Sequence, residues 1–406
     1  MSRKQFIILL VLVVVLGGSG LMLYKRQATS WSGGGQATGQ KLLGDLPVND
    51  VARLVIKQGP AEVNLDKKSD LWRVRERGDY PANFSEISGF LIKLRDLKTV
   101  QTEKVGVSQL PRLELSTSGQ GSNAPTVVEL RDASDKTLKT LLLGKKHMKK
   151  SNRPSPYGDM GDEGWPDGRY VMLGGSSDTV ALISDALANI EPKPDQWLNK
   201  DFFKVEKVRS VAVTFPVATN SWKLTRETES GEWKLTDAKP EEKLDTSKAS
   251  GVSNPLSSPS FVDVVIGSQP AQTGLDKPTV IVIETFDDFT YTADVGAKTN
   301  ENYYFTVSLA AALPKERTPG KDEKTEDKDK LDKEFKEKQK KLEEKLAQEK
   351  AFEKWTYLVS GWTVDSLLKE RSHLLVEKKD ETKKEDSKAD DSKADEPPAE
   401  EKKEKN

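Results

Sequence analysis

Between Lys145 and Tyr170 the chain reads KKHMKKSNRPSPYGDMGDEGWPDGRY, the stretch whose residue types come nearest to a chemical site. Its second half sets Asp159, Asp162, Glu163 and Asp167 among glycines, a supply of hard oxygen ligands suited to Ca²⁺. The spacing argues against it. Counted from Asp159, the third position of an EF-hand loop falls on Gly161, and the twelfth, which needs a bidentate Glu, falls on Tyr170. The first half carries Lys145, Lys146, His147, Lys149, Lys150 and Arg153, so the two halves neutralise each other, as expected of a solvated connection between strands. Tyr157, Met160 and Trp165 give the same loop the alternative of a docking surface.

Other chemistries are excluded more firmly. The chain has no Cys, which removes disulfides, thiolate zinc sites, a thiol nucleophile and a lipid-bearing Cys. Its 2 His, His147 and His373, lie far apart in sequence and form no metal cluster. Phosphate-binding glycine loops, a nucleophile elbow and a His-Glu-x-x-His helix are missing. With 65 acidic residues, a carboxylate pair of the glycoside-hydrolase kind cannot be recognised from sequence, since its separation is a three-dimensional quantity. The expectation is therefore no catalytic residue, no cofactor and no metal. A net charge of -1 spread over 32% charged residues offers no field for nucleic acid.

The elements that would position any site follow from patterning. Residues 5–24 form an uncharged run, flanked by Arg3 and Lys4 before and by Lys25 and Arg26 after, long enough at 1.5 Å per residue to cross about 30 Å of hydrocarbon. Apolar character resumes at Leu21-Met22-Leu23 without an Ala-x-Ala-like site, which favours an uncleaved anchor over a signal peptide. Residues 1–26 then read as a single-pass transmembrane anchor with its N-terminus inside, residues 27–45 as a flexible Gly/Ser/Thr/Gln-rich tether, and the body as lying outside the cytoplasmic membrane.

From Leu46 the period changes to short alternating runs. VARLVIK, AEVNL and LWRV predict a small antiparallel meander. In the following segment Ile87, Phe90, Leu91, Leu94 and Leu97 fall on one helical face behind a capping box of Asn83 and Glu86. The order then recurs: VRSVAVTF, SWKLTR and GEWKL, a weaker helical segment over 244–256, and FVDVVI. PTVVELRD is answered by PTVIVIET, LKTLLLGK by YTADVGAK and RYVML by YYFTV. This predicts an α+β fold of two tandem meander-plus-helix units, residues 46–200 and 201–376, with Trp72 and Trp233 as equivalent core positions. TVALISDALANI reads as a strand turning into a helix. The second unit carries a Lys/Glu-rich insert over 314–352 with Glu334–Lys338 and Glu337–Lys341 at i,i+4 spacing and a thin stripe of Leu331, Phe335, Leu342 and Leu346. It reads as a projecting solvated helix, or as a coiled-coil-like contact with a partner. Residues 377–406 have no aliphatic side chain larger than Ala and read as a disordered tail.

The anchor, LVIKQGPAEVNLDKKSDLWRV, Pro81-Ala82-Asn83 opening a helix, LLLGKK, RYVML, VALIS and GLDKPTVIVIETFDDFTYTADVGAK together resemble DUF4340, a bacterial envelope family of unknown function, from about Leu46 to Val376. Members of that family are often encoded beside ABC transporters of the gliding-motility type. The resemblance thus implies a protein auxiliary to such a transporter, held in the cytoplasmic membrane through residues 5–24 with a protein partner in the complex. It brings no catalytic residues. The Lys/Glu insert and the charged tail depart from the family pattern, so their role is not inherited. The competing expectation is a cell-envelope hydrolase or glycan-binding protein using carboxylates without a sequence signature. A third is a structural tether in which insert and tail bind another envelope component.

Overall fold

The computed structural model describes residues 39–116, 124–149, 165–176, 178–319, 323–324 and 327–377. The proposed anchor, most of the tether and the tail lie outside them, and among the described residues no helix is long and apolar enough to cross a membrane. The fold is α+β and mostly sheet. Strands β1 (Arg53–Gln58), β2 (Ala61–Lys68), β3 (Leu71–Val74) and β4 (Tyr80–Pro81) form the expected meander, followed by helix α1 (Phe84–Asp96) and β5 (Thr99–Lys104). Strands β6 (Thr126–Arg131), β7 (Thr137–Lys149), β8 (Trp165–Leu173) and β9 (Thr179–Ile183) complete a 9-stranded sheet of order β4-β3-β2-β1-β6-β7-β8-β9-β5.

The second sheet has 8 strands, β10 (Val208–Thr214), β11 (Trp222–Thr225), β12 (Lys234–Leu235), β13 (Phe261–Val265), β14 (Thr279–Thr285), β15 (Phe289–Thr299), β16 (Asn302–Ala311) and β17 (Thr356–Ser360). Its order is β12-β11-β10-β14-β15-β16-β17-β13. Between its strands lie the short helices α2 (Thr246–Ser250) and α3 (Pro270–Thr273), the long helix α4 (Lys328–Glu349), and, after β17, α5 (Gly361–Val364).

Helix α1 forms for the reasons its sequence gives. Ile87, Phe90, Leu91, Leu94 and Leu97 are all buried, the stripe that covers one sheet face. Its cap is half of the expected box: Asn83 Oδ1 accepts from the Glu86 amide at 3.2 Å, but the Asn83 amide donates to Trp197 O at 2.8 Å rather than to Glu86. Packed structure starts earlier than Leu46, because Leu42 and Leu43 are themselves apolar and buried, and the Leu42 amide donates to Leu97 O at 2.8 Å. After β9, by contrast, residues 184–190 are not the helix that their pattern suggested. Arg169 Nη1 donates to Leu187 O at 3.0 Å, and Asp185 Oδ1 accepts from the Leu187 amide at 2.8 Å, fixing an irregular loop in which Leu187 takes a φ of 43°.

Helix α4 does not project freely. Leu342 and Leu346 pack on the core, Lys338 pairs with Asp287 at 2.7 Å in place of Glu334, and Lys345 reaches Glu206 at 3.1 Å. Glu349 is buried at its end, accepting from Tyr291 Oη at 2.8 Å and from the Lys204 amide at 3.1 Å. Burial raises the Glu349 pKa above its ordinary 4.5, against the lowering pull of these donors and Lys345.

The two sheets share one core that runs from Leu42 to Leu374. At their seam the Tyr80 ring meets Phe261, Trp355 and Tyr357 edge-on at 5.8, 5.1 and 6.2 Å, and Arg77 forks onto Asp263 with both bonds at 2.7 Å.

Among the described residues, Gly144 and Gly296 are the glycines at which a Cβ would approach other atoms most closely. A Cβ on Gly144 would run into Leu113 O, and one on Gly296 into Thr273 O, far inside van der Waals contact. Replacing either by Ala is expected to destabilise the protein by about 1–3 kcal/mol, read from urea unfolding. Glu349 gives a pH signature. Its native pKa is raised, so the native state binds the proton more tightly than the unfolded chain. Stability then falls as pH climbs from the ordinary glutamate value through the native one. Glu349→Gln should remove that slope from the unfolding free energy measured between pH 4 and 8, while keeping an acceptor for Tyr291.

Candidate functional site

One concave feature built from elements far apart in sequence is a cleft of about 750 Å³ between the N-terminal half of α1 and the loop 184–191. Ser85, Gly89, Phe90 and Lys93 supply the helix wall, the loop supplies the other, and Pro166 and Asp167 at the start of β8 close one end. Trp197 and Phe90, both buried, form the floor with ring centroids 6.2 Å apart.

The loop wall is held from below. Arg169 is 7% exposed and has no carboxylate within ion-pair reach among the described residues. It donates Nε to Gly144 O at 2.7 Å and Nη1 to Leu187 O at 3.0 Å. Burial lowers its pKa, against the raising pull of the Glu114 and Glu191 charges, and two carbonyl dipoles receive the desolvated N–H groups. Trp197 Nε1 donates to Glu191 O at 3.2 Å, and Lys93 approaches Asp185 at 3.6 Å across the cleft.

Glu86, Asp167, Asp185 and Glu191 all line this space. His147 Nδ1 lies 2.6 Å from Asp167 Oδ1, and this contact holds the Asp167 carboxyl below the usual carboxylate range. Lys193, 2.6 Å from Glu191, does the same there. A general acid for glycoside cleavage needs the opposite displacement, a carboxyl kept protonated near neutral pH. At Asp167 and Glu191 the arrangement favours charged carboxylates in fixed pairs over proton transfer.

Of the loop residues read from sequence, Asp159, Asp162, Glu163, Tyr157, Met160, Lys150 and Arg153 lie outside the described residues. Asp167 is placed beside His147, whose partner was not foreseen; strand register explains it, since His147 pairs with Gly168 across β7 and β8. Trp165 is 55% exposed on the same hairpin. His373 sits at the far end of the second unit, near Leu374, and joins no cluster. No group of three potential metal ligands occurs among the described residues.

Residues 159–278 match the family described as Domain of unknown function (DUF4340). The resemblance to DUF4340 is thereby shown, over a stretch that starts in the β7–β8 hairpin, includes the loop wall of the cleft and ends at the entry to β14. No curated protein and no solved structure matches the chain. The DUF4340 match takes in Arg169, Leu187 and Trp197 but not α1, so only one wall of the cleft belongs to it.

Gly89 faces the cleft in mid-helix, and a Cβ there would meet nothing within 4 Å. Packing therefore does not require it, and Gly in a helix interior costs about 0.5–1 kcal/mol relative to Ala. Gly89→Ala is expected to raise the unfolding free energy by about that amount, checked by thermal and urea denaturation.

Proposed function

We propose that the chain is a membrane-anchored, non-enzymatic accessory protein acting outside the cytoplasmic membrane, auxiliary to an ABC-type transporter of the gliding-motility kind. The observation that carries this reading is where the buried titratable groups are used. Glu349 is bonded to Tyr291 and clamps α4; Tyr80 and Tyr357 meet at the seam; Arg77 is forked onto Asp263; Arg169 holds two carbonyls. Burial pushes Tyr80 up to about 12 and Tyr357 higher still. Such displacements mark functional sites when they converge in an open cleft, but here they serve packing: Tyr80, Tyr357 and Arg77 at the seam, Glu349 under α4 and Arg169 beneath the loop 184–191. The apolar run at 5–24 supports the anchored reading, and the family match agrees with the resemblance from which the transporter context is drawn.

The same proposal holds the two sheets to be tandem copies. Without β4, the first order maps strand for strand onto the second. Three local devices recur with it. Asn83 and Asp245 each cap the helix before β5 or β13. Their amides donate to Trp197 O and Leu374 O, beside the lone bridges Ala82–Leu198 and Leu244–Leu375. Gly144 and Gly296 sit at matching bulges of β7 and β15 against a carbonyl from the segment after β5 or β13.

Crosslinking in intact membranes followed by capture of a C-terminally tagged chain is expected to recover permease and ATPase subunits of one transporter. Recovery of glycan-processing enzymes alone would overturn the accessory reading in favour of an envelope-binding one.

A further inference from the structure

Three large apolar side chains stand exposed along one side of α1: Phe84 at 64%, Leu71 at 58% and Ile92 at 47%. A hollow of about 800 Å³ is walled by Val48, Trp72, Phe84 and Ile92, and a neighbouring one of about 610 Å³ by Leu71, Trp72 and Phe84. Trp72 and Phe84 border both, so the two hollows adjoin, with Asp70, Lys200 and Asp201 adding a polar side to the smaller one. The core stripe of the helix, Ile87, Phe90, Leu91 and Leu94, is buried beside this side, while Phe84 and Ile92 themselves stay exposed.

The path of the chain says what covers this surface. The described residues begin where the Gly39 amide donates to Thr99 O at 2.8 Å and Leu42 to Leu97 O, at the C-terminal end of α1. From there the chain runs along the helix, so that Leu46, Pro47 and Val48 form the near wall of the larger hollow. Upstream lies the uncharged run 5–24, and a coil of the length and composition of residues 25–38 spans about 20 Å root-mean-square. A side of the body tied this closely to a membrane anchor meets the bilayer at an effective concentration in the millimolar range, where a few apolar contacts suffice. The basic side chains on its rim are engaged, Lys67 by Asp70 at 3.3 Å, Lys41 by Asp96 at 3.5 Å, Arg95 by Asp96 at 2.8 Å and Lys200 by Val262 O at 2.6 Å, and Asp50 and Asp201 add negative charge there. Attraction therefore falls to the apolar side chains rather than to anionic headgroups.

We propose that this side of α1 seats on the bilayer surface, with Phe84, Leu71 and Ile92 entering the boundary between headgroups and acyl chains. The proposal rests on the anchored reading above. It orients the body with α1 towards the membrane.

The chain has no Cys, so single sites can be spin-labelled in the full-length protein. Phe84→Cys, Leu71→Cys and Ile92→Cys would be compared in phosphatidylcholine nanodiscs with Val217→Cys and Trp362→Cys, which replace exposed apolar residues of the second unit. Leu12→Cys would report the anchor. The expected result is high collision with oxygen and several-fold lower collision with a water-soluble nickel chelate at 71, 84 and 92 than at 217 and 362. Equal nickel accessibility at all five sites, with position 12 in lipid, would overturn the seating while leaving the anchor intact. Position 12 in water would overturn both. Low accessibility to both reagents at 84 would point to a protein contact and also overturn it.

Discussion

The seam between the sheets is the constraint on which the rest depends. Each open sheet ends in strands whose unpaired backbone invites pairing with other chains, and here the edge strands β4 and β13 are brought together. Tyr80 enters the aromatic group of Phe261, Trp355 and Tyr357, while Phe202 joins it at 4.7 Å from Tyr357 and 5.1 Å from Phe261. Arg77 reaches Asp263 only because the chain reverses at Gly78, whose φ of 63° is left-handed. A Cβ there would also come 3.0 Å from Ile266 Cδ1 and 3.4 Å from Trp355, so the turn serves backbone conformation and intersheet approach at once. Hydrogen bonds to charged groups of this geometry contribute about 1.5–3 kcal/mol, and the aromatic contacts add apolar burial around them. The result is a continuous core in place of two tethered bodies.

Much of the secondary structure was legible because its periods are physical. The α1 stripe repeats at helical spacing and was buried residue for residue. Strand pairs such as β1–β2 and β14–β15 announce themselves by β-branched alternation between turn residues. The losses have equally physical causes. GEWKL contributes only Lys234–Leu235 to the ladder, with Trp233 under the Arg226 guanidinium at 4.8 Å. Residues 184–190 have the apolar pattern of a helix, but Arg169, from a strand before them, holds the Leu187 carbonyl that a helix would use internally. Tertiary bonding overrode propensity there.

The cleft was not legible at all, and its composition explains why. Its floor joins Phe90 to Trp197, and its walls join α1 to a loop about a hundred residues later; no local spacing encodes such a meeting. His147 and Asp167 are readable only once the β7–β8 register is known. The charged insert was misjudged for a related reason. Its Lys/Glu composition speaks of solvation, yet one acidic residue, Glu349, ends up buried because Tyr291 and the Lys204 amide are waiting for it. A helix with a thin apolar stripe can dock by its last turns, and composition averages that away.

On the view that the units are copies, what they share and what they do not share separate two kinds of constraint. The shared features are backbone devices: a cap before the outer strand, an amide to a carbonyl near the unit's end, and a glycine where a carbonyl crosses a bulged strand. Each satisfies or shapes the backbone and leaves little choice of residue, a short oxygen-bearing side chain at the cap and Gly at the bulge, so they persist where the surrounding sequence has drifted. Apart from the extra edge strand β4, the differences lie in connections, the long β7–β8 hairpin and full α1 in one unit, and α4 in the other. Connections are free to change without cost to the core, so whatever distinguishes the units in function must act through those segments. The cleft and the exposed side of α1 both lie in the first unit, while the clamped charged helix lies in the second, so the two units differ most in the surfaces that their connections build.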